Sequence, residues 1–499
     1  MSMVPIDIPA GVVNQAAKAR RSSNWRETHL VRWNGDTIMP IGGWAELVTP
    51  TFASKVRLIH KWMINTGVIY TAYLCESHVY IELEGAFTDI TPVGGMTTPS
   101  NNVGGFGDYK FGAVKYGTPR PGENRRRNYA PTFSMDNWGD QLRVMTSYDG
   151  RLLGWDPAVP GALLVARPNA PVANRSFIVT PERHIMLFGM GGKMDQFGWC
   201  DQEDDTNWDF ASLTSKAGYY DLEPSSPIVA HQQFFGGIYM ATMANNYHIR
   251  PIGLPYVYAY DQIADAGIPI SPLSIARIPD GVVWSAIDGF WLFNGNSTEP
   301  IVCPISDWIQ KRLDVNGTIG NGFMFVVEGH SEIWWFFTDQ RDTTQNSMLT
   351  IFDYRANWWS MGRMHRTCGF MYGNEINPIM SDGDKIYKHE FGFSYEPEPF
   401  PWAETFTINT KQGDGLSTFH QMRPEMVKGR SQVKFSLMKQ MDRSQPDIET
   451  QSTLRAPFGD GLVDFRETAR DFRLRVDMVA NDDWSLGPMM MDIRPRGKK

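Results

Sequence analysis

Along most of the chain apolar and polar residues alternate in short runs, the period-two pattern of strands with one buried face. Four stretches set two such runs around a tight turn and end near a Trp or Tyr. They are Tyr148-Asp-Gly-Arg-Leu-Leu-Gly-Trp155, Val282-Val-Trp-Ser-Ala-Ile-Asp-Gly-Phe-Trp-Leu-Phe293, Glu332-Ile-Trp-Trp-Phe-Phe337 with Leu349-Thr-Ile-Phe-Asp-Tyr354, and Asp382-Gly-Asp-Lys-Ile-Tyr387. Asp-Gly between alternating apolar residues predicts a type I′ hairpin turn, whose two central positions both need φ > 0. Fainter copies run from Arg57 to Leu83, His184 to Trp199 and Phe234 to His248. Six or seven such units over roughly 340 residues have the spacing of propeller blades. The expected fold class is therefore all-β, a β-propeller of six or seven blades with a C-terminal β-sandwich-like domain and an N-terminal arm.

The pattern also divides the chain. Residues 1–50 carry strand-like pieces between Gly and Pro, including His29-Leu-Val-Arg-Trp33 and Pro40-Ile-Gly-Gly-Trp44, and read as an arm that latches the ring closed. Closure matters because an open ring would leave unpaired strand edges. Residues 51–400 hold the blades. Within them, Pro92 to Pro131 reads as a loop with a basic cluster, Pro251 to Ser274 as a crossing between blades, and Asp307 to Leu313 as a short helix capped by Ser306 or Asp307. After the proline cluster at Glu396 to Pro401, residues 401–499 contain longer alternating runs. In Arg470 to Met478, Phe472, Leu474, Val476 and Met478 share one face while Arg473, Arg475 and Asp477 share the other.

Composition agrees with strands and tight turns: 13% aromatic residues, 17 Trp, 46 Gly and 32 Pro in 499 residues. A net charge of −8 excludes a protein built as a whole to grip nucleic acid, which needs a basic face. Cys75, Cys200, Cys303 and Cys368 form no Cys-x-x-Cys pair, so a zinc site or disulfide framework is not expected. The N-terminus lacks a signal-peptide pattern and no stretch is long enough to span a bilayer, which predicts cytoplasmic synthesis without a membrane span.

Catalytic markers are missing. The sequence has no Gly-x-Ser-x-Gly elbow, no His-Glu-x-x-His, no phosphate-binding loop and no EF-hand. No enzyme activity and no cofactor are expected. Paired carboxylates from distant strands leave a carbohydrate-active propeller open as an alternative, since they obey no local spacing rule. The run Asp201-Gln-Glu-Asp-Asp205 offers hard oxygens to a cation but lacks the ligand spacing of a calcium loop, and reads as a solvated acidic loop. His184, His231, His248 and His365 stand singly and read as structural. In Trp334-Trp335 and Trp358-Trp359 neighbouring side chains leave opposite strand faces, so one Trp of each pair is expected between blades and the other against a partner.

The stretch Phe197-Gly-Trp-Cys-Asp-Gln-Glu-Asp-Asp-Thr-Asn-Trp-Asp209 resembles a signature of tail proteins of short-tailed double-stranded DNA phages, with Cys200 where Ser is commoner. Other segments resemble that group in order: Ile8 to Val12, Leu30 to Trp33, Pro40 to Trp44, Met135 to Asp140, Gly154 to Asp156, Phe290 to Gly295, Pro304 to Trp308, Glu332 to Phe336, Tyr354 to Gly362 and Trp484 to Gly497. The group is known as tail nozzles, tail tubular protein B or packaged-DNA stabilization proteins. The resemblance implies a structural subunit of the virion tail, six of which form a nozzle or hub ring below the portal and its adaptor. The ring closes the tail channel, retains packaged DNA and lets it pass at ejection. Implied partners are five further copies, the adaptor ring, tail proteins such as fibres, and DNA passing without specific binding. An acidic lumen would keep phosphate from sticking, which makes Asp201, Glu203, Asp204 and Asp205 candidate channel or gate residues. Arg125, Arg126, Arg127, Arg473 and Arg475 are candidate subunit-interface residues. A receptor-binding tail protein is a further alternative.

Overall fold

Each of the seven patterned stretches lies within one four-stranded antiparallel sheet of the computed structural model. The structure describes residues 3–14, 24–47, 49–97, 130–263, 266–373, 375–408, 415–429, 432–441 and 450–496. Blade 1 comprises Val56–Met63, Ile69–Cys75, Val79–Leu83 and Ala86–Asp89, and blade 2 Phe133–Trp138, Gln141–Thr146, Leu153–Trp155 and Val165–Ala166. Blade 3 comprises Ser176–Val179, Ile185–Phe188, Gln196–Trp199 and Gly218–Asp221, and blade 4 Ile228–Phe234, Gly237–Thr242, Asn246–Gly253 and Val257–Gln262. Blade 5 comprises Ile275–Ile278, Gly281–Ala286, Gly289–Phe293 and Thr298–Ile301, and blade 6 Phe323–Val327, Glu332–Asp339, Asp342–Asp353 and Trp358–Arg363. Blade 7 takes Cys368–Phe370, Ile379–Ser381 and Ile386–His389 and borrows its outermost strand, Trp44–Glu46, from the N-terminal segment.

The first strands of successive blades lie side by side around an axis, and that of blade 7 returns to that of blade 1. Between blades 3 and 4 the contact is made by His231, which stacks on Phe188 at 4.1 Å and sits 2.9 Å from Ser176 Oγ. The ring is closed: the protein is an all-β propeller, with seven blades among the described residues.

The core lies between blades. Trp62, Leu74, Val144 and Trp155 fill the space between blades 1 and 2, while Tyr239, Trp284 and Phe293 fill that between blades 4 and 5. A middle strand thus has a neighbour on both faces, and Gly281–Ala286 and Glu332–Asp339 are buried at every position. For this reason Trp334 and Trp335 are both buried, against the expectation that one would meet a partner; their indoles donate to Glu332 Oε2 and Ser274 Oγ. Burial follows the number of packed faces, and here there are two.

Within the patterned stretches Asp-Gly marks three turns, and in none is it type I′. Only the glycines have positive φ: Gly150 at +69°, Gly289 at +146° and Gly383 at +129°. Gly289 is already the first residue of its strand, paired with Ala286, so Ile287 and Asp288 make the loop. Pro251 to Gln262 belongs to the outer hairpin of blade 4, leaving only the residues after it to cross to blade 5. The expected helix spans Ser306–Gln310 with Ile305 at its cap and no side-chain bond there, and a second helix, Val315–Asn321, is capped by Asp314, which accepts from Gly317 N.

The remaining strands form two sheets. One orders Val31–Asn34, Thr37–Pro40, Ser485–Pro495, Ser417–Lys428 and Val463–Ala469, with Val4–Ile6 also on Ser485–Pro495. The other orders Trp25–His29, Trp402–Thr405, Asp471–Met478, Val433–Gln440 and Thr450–Gln451. Phe419 and Phe472, 5.7 Å apart, join them through a shared apolar core. N-terminal residues 25–40 are therefore part of these sheets and only residues 44–46 complete a blade. This unit docks on the outer strand of blade 6, where Arg363 N donates to His29 Nδ1 at 3.1 Å and a Cβ on Gly362 would meet Leu30 Cδ2 at 2.9 Å.

Candidate functional site

The acidic run folds as the loop between the third and fourth strands of blade 3, on its outer half. Asp201 organises it: Oδ1 accepts from Gln202 N and Lys216 N, and Oδ2 from Asn207 Nδ2. Glu203 sits at an exposed apex with φ +59°. Asp204 is exposed; its Oδ1 accepts from Thr206 N and Thr206 Oγ1, and the hydroxyl bond leads the interactions that lower its carboxyl below the ordinary range.

Asp205 differs. It is buried, and its carboxylate accepts from Arg143 Nε at 2.8 Å and from Arg167 Nε and Nη2 at 2.8 and 2.7 Å, while its carbonyl accepts from the Trp208 indole. Both arginines belong to blade 2, so Asp205 clamps that blade to blade 3. As a gate candidate it is corrected: two guanidiniums consume its charge. Three acidic side chains, Asp201, Glu203 and Asp204, remain at least partly accessible.

Arg473 and Arg475, candidates for a subunit interface, lie on the outer face of a strand paired on both sides. Arg473 Nε stands 3.0 Å from Glu404 Oε1, and Arg475 pairs with Asp477 at 2.9 Å and lies 4.0 Å over the Trp402 ring. The pattern placed them on the right face, but carboxylates of the same sheet already hold them. Arg125, Arg126 and Arg127 lie outside the described residues.

A second feature was not legible in the sequence. A cavity of about 710 Å³ opens along the axis beside blades 4 to 7, lined by Gln232, Arg277, Met324, Phe325, Phe370 and Met371, with Glu328, Tyr354 and Arg355 among its other residues. Glu328 is the one carboxylate among the described residues that line it. On the first strand of blade 2, the side chain of Asp136 is half-buried. Burial pushes its carboxyl up to about 6, against the opposing bonds from Val179 N and Asn137 N.

The third feature is a buried charge cluster where the C-terminal unit meets the propeller. Arg32 Nε and Nη2 donate to Glu332 at 2.8 and 2.9 Å, and Nη1 and Nη2 donate to Glu390 at 2.8 Å each. Burial would raise the Glu390 carboxyl; Arg32 and His330 outweigh it and hold it well below the usual range. The one sequence signal was an arginine inside the apolar strand Val31–Asn34.

Burial lowers the imidazoles of His184, His231 and His248 below their ordinary value, and the rings hydrogen-bond to backbone or hydroxyl oxygens. Burial pushes the thiol of Cys200 up to about 12, and none of the four cysteines is in a disulfide. Among the described residues no group of three or more His, Cys, Asp or Glu is placed to hold a metal, and no helix is long and apolar enough to cross a membrane.

Neither a protein-family model nor a curated protein sequence matches the chain. Among solved structures it is similar to an exo-β-1,3-galactanase from Phanerochaete chrysosporium, at 9% identity and a TM-score of 0.28 over 91% of this chain and 100% of that one. It is also similar to the β-propeller domain of Vanderwaltozyma polyspora Nup133, at 11% identity and 0.29 over 70% and 94%. A puromycin-hydrolyzing peptidase of Mycobacterium tuberculosis gives 8% identity and 0.36 over 73% and 61%.

Proposed function

We infer that this protein is a structural subunit of a phage tail, one of six in a nozzle ring below the portal and adaptor that retains packaged DNA and lets it pass at ejection. The observation that carries the reading is the role of the residues that resemble the nozzle signature. Phe197–Trp199 lies in the buried third strand of blade 3, Asp205 is a clamp between blades and Trp208 its support, so the signature-like run builds a rigid body rather than a reactive centre. Asp201, Glu203 and Asp204 supply an acidic loop outside the blade, suited to a lumen that DNA must traverse without adhering. Arg473 and Arg475 would meet a neighbouring subunit only by sharing their present carboxylates.

The carbohydrate-active alternative needs two carboxyl groups roughly 5 to 9.5 Å apart across a sugar. Among the described residues that line it, the axial cavity offers a single carboxylate, Glu328, together with Arg277 and Arg355. Cryo-electron microscopy of virion tails tests the reading: six copies on the tail axis are expected, with Glu203 and Asp204 toward the lumen. A position on a side fibre would overturn it in favour of an adhesin, and cleavage of host surface polysaccharide by the purified chain would overturn it in favour of an enzyme.

A further inference from the structure

We propose that the axial cavity is a binding site for an extended acidic peptide segment of a partner protein; this does not rest on the tail reading. Its volume of about 710 Å³ falls in the range of built ligand pockets, roughly 300 to 1,000 Å³. Its lining mixes polar side chains, Gln232, Arg277, Glu328, Tyr354 and Arg355, with apolar ones. Met324, Met371, Phe325 and Phe370 offer flexible thioethers and rings, a surface that accommodates varied apolar side chains.

Backbone geometry adds a way to hold a strand. The first strands of blades 5, 6 and 7 each pair with one neighbour in their own sheet, which leaves their inner edges facing the axis. On blade 6 Met324 N already donates to Leu273 O, and because backbone groups alternate between the two edges of a strand, the next group open toward the axis is that of Val326, while Phe325 and Val327 face Trp334 and Glu332 of their own sheet. An extended peptide can hydrogen-bond such an edge while alternate side chains enter the apolar walls.

Charge decides the sign of the occupant. Arg277 and Arg355 are exposed and neither guanidinium has a hydrogen bond or ion pair among the described residues, so the cavity carries two unpaired cations against Glu328. That is a local positive excess on a chain of net charge −8. A nucleic acid strand would call for a longer basic track, and an oligosaccharide for many more hydrogen-bonding groups and a flat aromatic platform; no Trp is among the described residues that line the cavity. A peptide with acidic residues between apolar ones satisfies both the walls and the arginines.

The test uses the full chain and a fluorescein-labelled octapeptide alternating Phe or Leu with Asp or Glu, followed by fluorescence anisotropy. Saturable binding is expected, abolished when the acidic residues are replaced by Lys. Each charge-assisted bond lost should weaken binding by about tenfold, so the double variant Arg277→Glu, Arg355→Glu should lose at least that much. Both side chains are exposed, so its thermal midpoint should match the parent; if it does not, Arg355→Gln alone, in a surface turn, serves as the probe. Amide exchange should slow at Val326, whose N–H faces the open edge, when peptide is added. No saturable binding, unchanged binding by the variants, or stronger binding of oligogalacturonate or oligothymidylate than of the peptide would each overturn the proposal.

Discussion

Replacing Arg32 with Met should loosen the joint between the propeller and the C-terminal sheets more than any other single change near it. The guanidinium makes four hydrogen bonds to two carboxylates whose side chains are only 5% and 9% exposed. Removing one member of a buried pair costs ~3–5 kcal/mol, mostly because the other charge is stranded. Here one cation serves two anions, so the upper end, about 5 kcal/mol, is expected. If the whole chain melts as one unit, an unfolding entropy of about 2 cal/mol/K per residue makes each kcal/mol worth ~1 °C, and the midpoint should fall by about 5 °C. Intrinsic fluorescence from the 17 Trp reports it. The pH dependence identifies the cause. In the parent, Arg32 depresses the Glu390 carboxyl, so its contribution is present above the unfolded pKa and lost as pH falls toward the folded one. In the variant His330 alone opposes burial and the carboxyl takes up a proton at higher pH, so the gap between the proteins should be widest near neutrality and narrow by about pH 4. A gap that is constant with pH, or a triple variant Arg32→Met, Glu332→Gln, Glu390→Gln less stable than the single one, would refute this reasoning.

Asp205→Ala should cost ~3–5 kcal/mol, read from the guanidinium chloride midpoint, because Arg143, 1% exposed, loses its partner; adding Arg143→Met should restore much of it. Asp136→Asn should flatten stability against pH. A carboxyl raised from 3.8 to about 6 makes the parent lose stability as pH rises through that window, with a ceiling of ~3 kcal/mol at 1.36 kcal/mol per unit, so the variant should be the more stable protein at about pH 8 and no different near pH 3. His365→Ala should cost less than ~1 kcal/mol, since the ring is 38% exposed. The hydrogen bond to Glu398 raises the imidazole above its ordinary value, so that small cost should be present below the ordinary value and vanish as pH rises through the higher folded one, checked by melts at acidic and alkaline pH.

The blades were legible because hairpins are local. The residues from Tyr148 to Trp155 or Val282 to Phe293 contain both strands and their turn, so alternation and Asp-Gly suffice to find them. The turn type was not legible, because a left-handed conformation at Gly150 alone serves a longer turn as well as a two-residue one. Partners distant in sequence were harder still. Nothing in Trp25 to Pro40 says that its strands join sheets built by residues 402–495, since edge pairing depends on which edge is free after the rest has folded. The same blindness hid Arg32 between Glu332 and Glu390, some 300 and 358 positions away, and split the acidic run: Asp204 and Asp205 are adjacent and chemically identical, and only the arginines of the neighbouring blade distinguish a surface charge from a buried clamp.

The same clamps bear on how such a body could move. The apolar core of blades 5 to 7 runs without a break into the C-terminal sheets, and Arg32 crosses the junction with its charge fully engaged. Sliding one unit past the other would expose that core and strand the carboxylates together, at several kcal/mol before any new contact forms. Blades fare no better, because Asp205 ties 2 to 3 and the borrowed strand Trp44–Glu46 ties 7 to the N-terminal segment. On the tail reading, opening therefore has to use what is left: loops outside the sheets, such as the exposed apex at Glu203, or rotation of whole subunits about their contacts. Cross-linking the blade 7 closure, with cysteines at Ala45 and Lys388, which pair across it, should then leave DNA ejection from assembled virions unimpaired. Loss of ejection with intact assembly would mean that the ring itself unlatches.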